Sequence, residues 1–260
     1  MIVALTSVRG APGVSVTAVL LAAAWPTSAE RVVIEADLDG GVIGARYGVG
    51  VEPGVGALVS ALRHEVSDEL LLDRSARRVA DRAWLVPGPE SSVTAQRVWG
   101  ADRAAAQVAD ALAADRDRVW LVDGGRMAAR SATSPLVARA DVTLVFTRDQ
   151  PADLLQVPER VADFAALCPL VGVVVVGAPD YGDDELRAFC GVDHLWRVAA
   201  APDAVALTQR GWNDRRLRRA PVWRDAVALA ADLADLADVA TLPAPDVGAG
   251  WLEAEEDGRA

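Results

Sequence analysis

Thr6-Ser7-Val8-Arg9-Gly10-Ala11-Pro12-Gly13-Val14-Ser15 joins the β-branched run at 2–6 to an amphipathic stretch at 15–25. A strand that leaves through a glycine-containing turn directly into a helix gathers backbone N–H groups and a helix N-terminus at one point, which favours an anion. Two readings of the turn stay open: a phosphate cradle, or a tight connection in which Ser15 caps the helix. A dinucleotide fingerprint fails on spacing, because G-x-G-x-x-G counted from Gly10 needs glycine where Pro12 and Ser15 stand.

Outward from this turn the pattern repeats. Short apolar runs at 2–6, 31–35, 83–86, 118–123, 142–147, 171–176 and 194–198 read as strands, several apolar on consecutive positions as a sheet covered on both faces requires. Helical periodicity fills 15–25, 55–63, 93–114, 152–167, 184–189, 204–210 and 222–240. The alternation predicts an α/β fold, a mostly parallel central sheet with helices on both faces, over residues 1–240. Residues 241–260 turn Pro/Gly-rich and then acidic at Glu253, Glu255, Glu256 and Asp257, a linker and solvated tail.

Of 260 residues 52% are hydrophobic, enough for a core and against wholesale disorder. Net charge is −11, and all 26 basic residues are arginine. Cys168 and Cys190 are too few for a disulfide scaffold, and with only His64 and His194 there is no zinc-type cluster, so no metal site is assigned. A reducing cytoplasm follows, with a chain expected to start at Met1 without a leader and no apolar run of membrane-spanning length.

The turn resembles the deviant Walker A motif of the ParA/MinD partitioning ATPases, T-S-G-K-G-G-V-G-K-T. Thr6, Ser7, Gly10, Gly13 and Ser15 match. Arg9 takes the place of the signature lysine, which in that family reaches a dimer partner's nucleotide, and Val14 that of the P-loop lysine. Val8 replaces the first loop glycine. The order of later motifs extends the resemblance over residues 1–240: Glu35-Ala36-Asp37-Leu38-Asp39-Gly40-Gly41 is similar to the switch I strand end, with Asp37 acidic in either register. Val119-Trp120-Leu121-Val122-Asp123-Gly124-Gly125 is similar to the Walker B strand, with Asp123 on the magnesium side. Ala201-Pro202-Asp203 and Leu207-Thr208-Gln209-Arg210-Gly211 resemble the adenine-side loop and helix. The resemblance implies ATP with magnesium as cofactor, Arg9, Gly10, Gly13, Val14, Ser15, Asp123, Pro202 and Asp203 as nucleotide-binding positions, Asp37 as the catalytic acid, and a homodimer meeting through the face of Arg9, Asp37 and Asp123.

The departures bear on activity. No residue of lysine type can supply the point charge at the β and γ phosphates, and Arg9 is the one cation in the turn. The family's adenine-reading asparagine is missing, since Val176-Gly177-Ala178-Pro179 follows the strand. The expectation is a positioning or scaffold protein with a weak or inactive ATPase site. Its rivals are an active ATP switch using Arg9 with backbone amides, and a DNA-binding partitioning factor. Arg215, Arg216, Arg218 and Arg219, with Arg210, Trp212 and Trp223 nearby, form the one dense basic patch; net charge opposes DNA, so a protein partner is expected there. The stretch 226–238 carries Asp and no Arg on its polar face, which disfavours direct membrane binding.

Overall fold

The computed structural model describes residues 1–10, 13–64, 74–209 and 213–239; Arg210, Gly211, Trp212 and the 241–260 tail lie outside the described residues. Eight strands form one sheet in the order β3-β4-β2-β5-β1-β6-β7-β8. They are β1 (Ile2–Ser7), β2 (Glu30–Glu35), β3 (Arg77–Ala80), β4 (Ala83–Val86), β5 (Arg118–Arg126), β6 (Val142–Arg148), β7 (Val171–Val176) and β8 (Leu195–Val198). All neighbours pair in parallel except β3, which is antiparallel to β4. The helices are α1 (Val14–Ala24), α2 (Ile43–Arg46), α3 (Val55–Arg63), α4 (Ser92–Trp99), α5 (Ala104–Ala114), α6 (Ser134–Ala138), α7 (Pro151–Leu154), α8 (Val157–Ala165), α9 (Asp183–Cys190), α10 (Ala204–Thr208), α11 (Arg215–Arg219) and α12 (Pro221–Val239).

Successive strand residues serve opposite faces, the period-two consequence of the pleat. Ile2 and Ala4, Val32 and Ile34, Trp120 and Val122 join one core with α3, α4, α5, α6, α8 and α9. Val3 and Leu5, Val33, Val119 and Leu121 join the other with α1, α11 and α12. No helix among the described residues is long and apolar enough to cross a membrane.

The helix expected over 93–114 is two helices, because Arg103 takes a left-handed conformation (φ 54°) between α4 and α5. The stretch 152–167 likewise divides into α7 and α8, each beginning with a proline at its first or second position, where the missing N–H costs nothing. β3 was not expected at all: four residues on the sheet edge, two of them exposed arginines, give no apolar run to read.

At the start of β2, Arg31 is buried with no carboxylate ion pair among the described residues. Its guanidinium donates to the carbonyls of Ala22 (3.0 Å), Ala29 (2.8 Å) and Asp81 (3.1 Å), tying the end of α1 and the β3–β4 turn to the start of β2. Arg31→Ala leaves three carbonyls without this donor; we expect a loss of about 3 kcal/mol, read in urea as a lower midpoint at unchanged slope.

Candidate functional site

β1, β5 and β6 are adjacent, and their connections leave the carboxyl rim in opposite directions, the place where open parallel sheets leave a crevice. Of the residues assigned from sequence to the nucleotide site, all but Pro202 and Asp203 lie on this rim, in the turn after β1 or in the first turn of α1, while Arg215, Arg216, Arg218 and Arg219 lie on α11. Gly13 has φ 97°, a left-handed conformation that glycine adopts without strain, and it caps α1 with no side-chain hydrogen bond. The reading of Ser15 as the helix cap is therefore corrected: Ser15 lies inside the first turn of α1, and its hydroxyl helps to hold down the pKa of Asp123. A Cβ placed on Gly10 or Gly13 would meet nothing within 4 Å, so the described part of the turn is open. Val14, at the position of the P-loop lysine in the resemblance, is 5% exposed and packs in the core with α1 and α12.

Asp123, 1% exposed, ends the hydrophobic part of β5 and accepts the Gly125 N–H at 3.1 Å. Burial pushes its pKa up to about 7; the nearby Ser15 hydroxyl and the Gly125 N–H oppose the rise, while the charges of Glu35 and Asp37 add to it. Asp37 is half buried, and burial raises its pKa too, against the Asp39 N–H that it accepts at 2.8 Å. Its carboxylate lies over Gly125 (φ 55°), where a Cβ would fall 2.0 Å from an Asp37 oxygen, so a side chain at 125 would displace the acid.

Glu35, which the resemblance sets at the switch I strand end, is buried in a net of backbone donors: one oxygen accepts the N–H groups of Val42 (2.7 Å) and Ile43 (2.6 Å) and the other that of Gly88 (3.0 Å). It anchors the loop after β2 to the exit of β4. Among the described residues no group of three or more His, Cys, Asp or Glu is arranged to hold a metal ion.

Two rim arginines were not singled out from sequence. Ser7 is in register with Arg126 on β5 and with Phe146, two residues before Arg148, on β6. Arg126 pairs with Asp39 at 3.2 Å, and Arg148 lies 3.9 Å from Asp153. Arg9 is exposed and shares a hollow with Gly10, Phe146, Thr147, Arg148 and Asp153. The signal that could have found them is the β-register itself, since both sit just past a central strand's apolar run. Pro202 and Asp203 occupy the exposed turn into α10, whose Ala204 joins the core that holds Val14. Beyond β6 a second cluster holds the rim together: Asp149 accepts from Asp180 N–H, Tyr181 N–H and Arg197, which also binds Asp183. Burial favours the neutral acid, but these donors outweigh it and hold Asp149 below its ordinary pKa.

The sequence matches no family model and no curated protein, so the similarity is one of structure. A ParA family ATPase from Chlorobium tepidum superposes with a TM-score of 0.71 at 15% identity, covering 89% of this chain and 98% of that one. A Cyanothece McdA variant in complex with ATP gives 0.69 at 14% identity over 90% and 96%. The septum site-determining protein MinD of Pyrococcus horikoshii, complexed with Mg-ADP, gives 0.68 at 16% identity over 92% and 97%. The chain has the ParA/MinD P-loop ATPase fold.

Asp123 yields a pH test. A carboxyl whose folded pKa is raised contributes most below its unfolded value near 3.8 and loses that contribution as pH rises through about 7. Between about pH 4 and pH 7 we expect this group to cost the wild type up to roughly 4 kcal/mol. Asp123→Asn should flatten that part of the stability profile and leave the variant more stable than wild type at about pH 8, measured by urea unfolding across the range.

Proposed function

We propose that the chain is a ParA/MinD-like positioning or scaffold protein of a cytoplasmic assembly, of septum-site, partitioning or pilus-localisation type, with a degraded nucleotide site. The observation that carries the reading is Val14: a buried valine where the resembling turn has its lysine, in a chain without lysine. Phosphoryl transfer needs positioned positive charge as the γ-phosphate develops its transition state, and backbone N–H groups orient phosphate without replacing a full cation.

The backbone parts of the turn fit a phosphate. Open Gly10 and Gly13 and the uncapped start of α1 would hold one, and Ser15 with Asp123 would hold magnesium. ATP with magnesium, when bound, would present the phosphate chain to water at this rim. Pro202 and Asp203 would lie on the adenine side, and Asp37 would be the acid nearest the attacking water. The side-chain cation does not fit, because Arg126 is drawn to Asp39 and Arg9, the one cation of the turn, is exposed. An active ATP switch is the second reading, favoured by the hollow that Arg9 and Arg148 line together. The proposed protomers meet as a homodimer through the Arg9, Asp37 and Asp123 face, where each Arg9 finds the partner's surplus acids. DNA and direct membrane binding are disfavoured.

With ATP and magnesium, we expect turnover at least about a hundredfold below that of lysine-bearing relatives. Turnover at those relatives' rates, abolished by Ser15→Ala or Asp123→Ala, overturns the pseudo-enzyme reading. Light scattering tests the dimer: wild type is expected dimeric and Arg9→Glu monomeric, and a monomer under every nucleotide condition removes the interface.

A further inference from the structure

We propose that the outer face of α11 is a docking site for an acidic segment of a partner protein, a run of Asp and Glu carboxylates received by Arg215, Arg216, Arg218 and Arg219 with Arg224 at its margin. The inference stands whether or not the rim binds nucleotide.

The helix has five residues, and one of them faces inward. Leu217 is fully buried among α1 and α12 side chains, while the four arginines are exposed. Confined to about 7.5 Å of helix axis, they repel one another unless anions relieve the charge. The acids closest in sequence are committed elsewhere. Asp214 caps the helix, accepting the N–H groups of Arg216 (2.7 Å) and Leu217 (3.4 Å), and Asp225 accepts the Ala199 N–H at 2.8 Å.

Shortage of acid does not explain the patch, since the chain has 37 acidic residues for 26 arginines. Some arginines elsewhere are matched with carboxylates, Arg118 with Glu30 and Asp115, Arg139 with Asp110, Arg187 with Asp184 and Arg197 with Asp149 and Asp183, while others, Arg31 among them, are not; what sets the patch apart is its density, four arginines in a helix of five residues. Arg215, Arg216, Arg219 and Arg224 make no ion pair among the described residues.

One member of the patch is already ordered. The Arg218 guanidinium stacks 4.2 Å over the Trp223 ring and donates to Asn213 Oδ1 at 3.2 Å. A planar fork held this way loses little freedom on taking a carboxylate in bidentate fashion. The patch is also too small for a duplex. DNA presents a long rigid row of phosphates, which on a protein of net charge −11 would press against Asp225, Asp232 and Asp235 along α12. A flexible acidic segment touches the arginines and turns away.

Fluorescence anisotropy of the full chain tests this, with a labelled octaglutamate peptide and a labelled duplex of about 20 base pairs. Expected is peptide binding that weakens at least about tenfold in the triple variant Arg215→Glu, Arg216→Glu, Arg219→Glu, and with rising salt, at unchanged melting temperature. Arg218→Lys, which keeps the charge and loses the fork, should weaken it several-fold; Arg139→Glu on the opposite face should not. The proposal is overturned if wild type ignores the peptide, if the triple variant binds it equally, or if the duplex binds more tightly. It is also overturned if binding emerges only after Glu253→Gln, Glu255→Gln, Glu256→Gln and Asp257→Asn, because the occupant would then be the chain's own tail.

Discussion

The buried carboxylate of Glu35, with three backbone N–H groups converging on it, is the contact on which the carboxyl rim depends. A carboxylate that accepts Val42, Ile43 and Gly88 N–H groups closes the loop after β2 onto the exit of β4 and satisfies three backbone donors at once. With the loop closed, Asp37 lies over Gly125, which is why position 125 tolerates no side chain. The loop then runs straight into α2. One acid is thereby spent on architecture, leaving Asp37 and Asp123 to carry whatever chemistry the rim performs.

That division explains the charge state of the site. Asp123 is surrounded by backbone, a hydroxyl and two further acids, with no cation among the groups that shift its pKa. In a P-loop the lysine would face this region; here Val14 contributes hydrocarbon to the core instead. An acid so placed holds its proton until near neutrality.

The fold was legible because buried parallel strands write themselves as consecutive apolar residues. Val171–Val176 is read from sequence and found as it stands. Where the signal failed, the cause is local. Gly100-Ala101-Asp102-Arg103 interrupts a helical pattern without breaking its periodicity, so the left-handed Arg103 was invisible, and β3 shows no hydrophobic alternation on its edge. At the site, Gly13, Ser15 and Asp123 could be named from motif order. The anchoring role of Glu35 could not, because it is defined by donors seven, eight and fifty-three residues away in sequence. Arg126 and Arg148 escaped notice for the same reason: register between strands brings them beside the turn.

The rim and the arginine face of α11 are joined by hydrogen-bonded contacts as well as by the shared core. α2, which continues the Glu35-anchored loop, presents Tyr47 at its end, and the Tyr47 hydroxyl bonds the Thr208 hydroxyl on α10 at 2.5 Å. The Arg46 carbonyl accepts from the Gln209 side chain. α10 in turn packs against α11 and α1. A displacement of the loop at 36–43 therefore either carries α10 with it or breaks the hydroxyl pair, and Tyr47, largely buried with its own pKa raised by that burial, is poorly placed to find water instead. The loop after β2 and the arginine-bearing helix are thus linked through α2 and α10. On the proposed reading, holding a partner surface in place through α11 is a task that needs no phosphoryl transfer.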